Sequence, residues 1–117
     1  MFKVIEVGNV SVPMEANAAT PIRYRMLFKK DLLTQFQAAQ DDAAKVSDTI
    51  PELGFIMAMQ AAKANLSAIS FDDYLEWLEQ FGPLDLLNAG GEIANLYTDN
   101  TATASEPKKK ADQPNGK

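Results

Sequence analysis

Cysteine and histidine are both absent from this chain, and each absence closes off a block of chemistry. Without cysteine there is no disulfide framework and no thiolate metal site. Without histidine there is no imidazole general base, no Ser–His pair and no imidazole metal ligand. A hydrolase or transferase would have to run on carboxylates, lysine or tyrosine. No glycine-rich phosphate loop, nucleophile elbow or kinase signature accompanies them, so no enzyme and no cofactor is expected. Long apolar runs are missing too. The longest uncharged stretch, Leu53 to Ala62, falls far short of the ~20 residues of a membrane span. The N-terminus reads as a strand and lacks the apolar region and cleavage site of a signal peptide. Cytoplasm is the expected compartment, with no membrane partner.

Positive charge is missing from one long stretch. Between Ala64 and Asn100 there is no Lys or Arg, while Asp72, Asp73, Glu76, Glu79, Asp85, Glu92 and Asp99 accumulate. Residues 23–30 are the opposite, with Arg23, Arg25, Lys29 and Lys30 and no acid. The formal net charge is −5. An acidic body argues against nucleic acid as a partner, because phosphate contacts need a basic footprint.

At 117 residues and 46% hydrophobic composition, the chain is long enough for one domain around a modest core. Phe2 to Val7 and Val10 to Ala16 read as a hairpin joined at Gly8–Asn9, a turn that wants glycine first. That register sets Val7 opposite Val10 and Ile5 opposite Val12, so Ile5, Val7, Val10, Val12 and Met14 share one apolar face. Pro13 needs an exposed edge. A hairpin alone is marginal and must lean on helices or on another subunit.

Thr20 suits an N-cap and Pro21 the first helical position. Helix one is expected from about Pro21 to about Lys45, with Tyr24, Phe28, Leu32 and Phe36 every four residues and Leu27 and Leu33 widening the stripe. If it breaks at Lys29–Lys30, Asp31 is a suitable cap for a second segment. Val46 to Ile50 reads as a connector. Pro51 restarts a helix with Leu53, Ile56, Met57, Ala61 and Ala64 on one side, interrupted by Gln60. Ser70 to Asp73 reads as a capping box. It opens a helix whose Phe71, Tyr74, Leu75, Leu78 and Phe81 are expected to be buried. Gly82–Pro83 stops it, and a last helix from Leu84 is expected to kink at Gly90–Gly91. The fold class is therefore α+β and mainly α: an N-terminal hairpin, a bundle of about four helices, and a tail. Residues 1–100 form the domain. From 101 to 117 no large apolar residue remains, and disorder is expected there.

Candidate sites are few. Asp72, Asp73, Glu76 and Glu79 could be a carboxylate cluster, but first-turn acids on a solvated helix face favour the helix dipole, and no metal ligand set is assigned. Asp41–Asp42 has no calcium-loop pattern around it. Arg23, Arg25, Lys29 and Lys30 oppose the dipole at a helix start, so they need another reason. Pairing with the acidic 72–99 region, in the same chain or a second copy, supplies one. Met14, Met26, Met57, Met59 and Trp77 could line an adaptable apolar groove. Core packing is the simpler role for Met57, whereas Met59 falls off its stripe and Trp77 sits at the edge of its own.

The wording of the chain resembles a known family. A hairpin followed by Ala18, Ala19, Thr20, Pro21, Tyr24, Arg25, Phe28, Lys30, Asp31 and Leu32 looks like the N-terminal half of the tail assembly chaperones of long-tailed phages of Gram-positive bacteria. Phe71, Asp72, Tyr74, Leu75 and Leu78 resemble the family's acidic-aromatic helix. Ile93, Leu96, Tyr97 and Asn100, with the lysines that follow, resemble its last helix and tail. The family usually has Gly at the place of Lys29, and Gly90–Gly91 is a further departure. The resemblance implies a chaperone that binds the tape measure protein during tail morphogenesis, self-associates, and stays in the host cytoplasm rather than the mature virion. It also implies that Lys108, Lys109 and Lys110 mark a slippery site for a −1 frameshifted longer product, whose extension would meet the tail tube protein. The alternative is a small helical adaptor that binds one globular partner.

Overall fold

The computed structural model describes residues 1–105, with side chains through residue 99. Strands β1 (Phe2–Val7) and β2 (Val10–Glu15) pair antiparallel, with Ile5 opposite Val12 and Val7 opposite Val10. Ile5, Val7, Val12 and Met14 are buried and Val10 partly so, as the alternation requires. Gly8 is needed twice over. Its φ is +61°, and a Cβ there would stand 2.3 Å from Asp85 Oδ2, which instead accepts the Gly82 N–H at 2.8 Å.

Helices α1 (Thr20–Phe28) and α2 (Leu32–Ala39) replace the single first helix. The break falls where the lysines crowd. Lys29 adopts a left-handed φ of 61° and closes α1, while Asp31 caps α2 by accepting the Thr34 N–H at 2.9 Å. Thr20 does not cap α1. It is the first residue of that helix and is fully buried, its hydroxyl accepting from the Asn17 N–H and from Gln60 Nε2. Leu33 is exposed rather than part of the stripe, because the break rotates α2 relative to α1.

The expected connector at 46–50 is helical. Asp42 accepts the Ala44 N–H at 3.0 Å and starts α3 (Ala43–Ala61), so Pro51 lies in the helix interior instead of at its beginning. Proline lacks an N–H to give the Ser47 carbonyl, yet the helix continues because its second half is locked in the core. From Thr49 to Gln60 every residue except Pro51 and Met59 is buried, so α3 is enclosed on nearly all sides instead of lying on one face. It packs on β2 and on all five other helices. A helix so enclosed is the axis of the domain.

After a 3-10 turn at Leu66–Ala68, α4 (Phe71–Leu78) opens with the expected capping box. Ser70 Oγ accepts the Asp73 N–H, and Asp73 Oδ2 accepts the Ser70 N–H. Its stripe is only half buried. Tyr74 is in the core, Leu78 and Phe81 pack against it, but Phe71 is 52% and Leu75 43% exposed. The final helical stretch breaks at Ala89 into α5 (Asp85–Asn88) and α6 (Gly90–Ser105). Helix α6 thus runs past the expected domain limit at residue 100, and the rest of the tail, with Lys108–Lys110, lies outside the described residues.

The result is α+β and mainly α, a hairpin followed by six helices where about four were expected. The two additional helices come from the break at Lys29–Asp31, where Asp31 was the candidate cap, and from the break at Ala89, beside the kink expected at Gly90–Gly91.

Candidate functional site

The four cations on and just after α1 separate into two pairs with different work. Arg23 is half-buried and its Nη1 donates to Gln60 Oε1 at 3.1 Å. Lys30 donates to Glu52 Oε2 at 2.9 Å, from a side chain about a third exposed to one that is 9% exposed. Arg25 and Lys29 are exposed and form no ion pair among the described residues. The basic patch does not close on the acidic region of its own chain. The ion pair that involves that region, Lys3 with Glu92 at 3.1 Å, is exposed and uses a lysine from β1.

Asp72, Asp73 and Glu76 all face water on α4, and Asp73 is spent on the cap. Among the described residues no three acidic side chains converge as a metal site would require. Met59 and Trp77 do come together. They line a shallow cleft of about 260 Å3 with Val12 and Pro13 of the hairpin, and Trp77 packs its ring on Phe55 and Phe81 at 5.3 and 4.9 Å. Met14 and Met57 are core residues, and Met26 is exposed on α1.

The larger opening lies elsewhere. A cleft of about 610 Å3 separates the N-terminal half of α3 from α4 and α5. Asp48 and Glu52, one helical turn apart, stand on one wall, and Phe71, Tyr74, Leu78 and Phe81 form the other. Glu52 is the bottom of this wall and is tied from behind: Tyr24 donates its hydroxyl to Oε1 at 2.5 Å while Lys30 holds Oε2. Burial, then the hydrogen bond and charge of Glu52, push the Tyr24 phenol far above its ordinary value. Tyr74 is likewise raised, by burial first and then by the charges of Glu52 and Asp48. Tyr74 sits at the centre of an aromatic cluster, with Phe28, Phe55 and Phe71 at 4.9, 5.2 and 5.5 Å.

A second, apolar cleft of about 330 Å3 lies between α2, α3 and α6, where Thr49 Oγ1 is buried without a hydrogen-bond partner among the described residues.

Sequence reasoning missed the larger cleft for an identifiable reason. Asp48 and Glu52 face the same way only if residues 46–50 are helical, and the proline at 51 concealed that. The Asp42 cap was the signal that could have found it.

No helix among the described residues is long and apolar enough to cross a membrane. No protein-family model, curated protein or solved structure matches the chain.

Proposed function

We propose that this protein is a binding protein without catalytic activity that shields amphipathic helical stretches of a larger partner, in the manner of a phage tail assembly chaperone. The carrying observation is a set of large apolar side chains left exposed on successive turns of two helices: Ile22 and Met26 on α1, Phe71 and Leu75 on α4. Residues four apart lie on one helix face, so each pair forms a short apolar strip. Such strips mark contact surfaces when they are contiguous. The sequence resemblance gives the partner, the tape measure protein, and the place, the host bacterial cytoplasm before the virion is complete.

Mass action supplies the mechanism. A long helical ruler exposes apolar stripes that would aggregate, and many small copies binding reversibly keep it in solution. Each contact need only be weak, because copies arrayed on one ruler add avidity and remain displaceable by tube subunits. Exposed Arg25 and Lys29 form no ion pair among the described residues and are opposite in sign to the exposed acids of α4, which suits head-to-tail contacts between copies.

Co-expression with the tape measure protein of the same genome tests the reading. Recovery of the ruler from the supernatant, with several copies of this chain bound, is the expected result. A ruler that aggregates equally with and without this chain, or a strict monomer that binds one globular partner instead, refutes it. Reading the codons of Lys108–Lys110 decides whether a slippery adenine run is present.

A further inference from the structure

We propose that the cleft between α3 and α4–α5 seats a helical partner segment that presents a lysine or arginine beside its apolar stripe, the cation meeting Asp48 at the rim. This inference rests on the shielding role above and specifies which helices are bound and where.

Three properties of the cleft argue for a cation-bearing occupant. Its side chains include two carboxylates, Asp48 and Glu52, and no Lys or Arg. Glu52 is already matched by Lys30 behind the wall, whereas Asp48 is exposed and forms no ion pair among the described residues. The remaining polar groups can act as acceptors: the Tyr74 hydroxyl, and the Ser47 carbonyl, to which Pro51 gives no N–H. An ammonium or guanidinium brings donors and positive charge together, and satisfies both needs at once. An acidic segment would place its carboxylates against Asp48, and like charges in proximity disfavour that complex.

The apolar part of the cleft argues for a chain rather than a small molecule. Phe71, Leu78, Phe81, Leu86 and Leu87 line it, and two exposed apolar side chains adjoin lining residues in sequence, Leu75 after Tyr74 and Leu84 after Pro83. Such a surface matches the repeated i, i+4 side chains of an amphipathic helix. The charge adds selection among otherwise similar stripes. A helix carrying basic residues beside its apolar side chains docks, and one carrying acidic residues there does not.

The test uses the full chain and three synthetic amphipathic helices with one shared leucine stripe, flanked by lysine, glutamine or glutamate. Because any acidic protein favours a basic peptide, the comparison rests on position rather than net charge. Wild type should bind the lysine peptide about tenfold more tightly than the glutamate peptide at low salt. Asp48→Lys should abolish that ratio, while Asp99→Lys, the same charge change on α6, should leave most of it. Ser47→Trp, at an exposed rim position, should weaken all three peptides without changing the unfolding temperature appreciably. Amide shifts on titration should concentrate at Asp48, Tyr74 and Phe81. Equal loss of preference in Asp48→Lys and Asp99→Lys, or shifts confined to Ile22 and Met26, overturns the cleft assignment and leaves the shielding role standing. Failure to bind any of the three peptides removes both.

Discussion

Tyr24 and Glu52 meet across 2.5 Å at the junction of α1 and α3, and Lys30 grips the other carboxylate oxygen. The triad joins the first helical segment, the residue just beyond its break, and the central helix. It also fixes the wall on which Asp48 stands. A carboxylate at this depth is tolerated only because both oxygens are engaged.

Removing one partner should therefore expose the penalty. Lys30→Ala should destabilise the fold by about 1–2 kcal/mol, below the ~3–5 kcal/mol of a fully buried pair because the lysine is part-solvated. Urea denaturation measures it. In a double-mutant cycle with Glu52→Gln the two losses should not add, and strict additivity would argue against the contact.

Gln60 is the second knot. Its amide donates to the Glu15 carbonyl at 2.6 Å and to Thr20 Oγ1 at 2.9 Å, and its carbonyl accepts from Arg23. Gln60→Leu keeps the volume and strands those buried groups, so a loss of about 2–3 kcal/mol is expected. Gln60→Glu, which cannot donate to the Glu15 carbonyl in its charged form, should do no better. Wild-type stability in the leucine variant would mean the knot is not formed.

Lys29 closes α1 at a positive φ, a conformation that disfavours a side chain with Cβ. Lys29→Gly should raise stability by about 0.5–1 kcal/mol, while Lys29→Val should lower it. Thermal unfolding of the pair gives the sign directly. A destabilised glycine variant would show that the lysine side chain holds more than the strain takes away.

Alkaline pH should unfold the protein cooperatively. All three tyrosines, Tyr24, Tyr74 and Tyr97, are raised, with burial the largest cause in each. A group whose folded-state value lies above its unfolded one contributes stability that is complete below the unfolded value near 10 and declines as the pH rises past it. Phenolate absorbance should therefore appear together with loss of helix. Phenolate forming at about pH 10 with helix content intact would contradict the burial of these rings. At the acid end Asp31 behaves oppositely. The Thr34 N–H, then its hydroxyl, hold Asp31 below the usual carboxylate range, so its cap is lost as the pH falls through that lowered value.

Local chemistry was legible wherever a few neighbouring residues decide the outcome. The hairpin register followed from Gly8–Asn9 and the alternation around it. The cap at Asp31 and the box at Ser70–Asp73 followed from side chains that reach only three residues. Each is a short-range hydrogen bond or a steric limit on φ, and sequence carries those in full.

What only the tertiary structure decided was which faces and which polar atoms ended up inside. Thr20 looked like a cap, but Gln60, forty residues away, recruited its hydroxyl into the core. Pro51 looked like a helix start, but packing around α3 from Thr49 to Gln60 outweighed the hydrogen bond it forfeits. That carried Asp48 and Glu52 onto one wall facing Tyr74. Burial sums contacts from every element at once, so no window along the chain contains it.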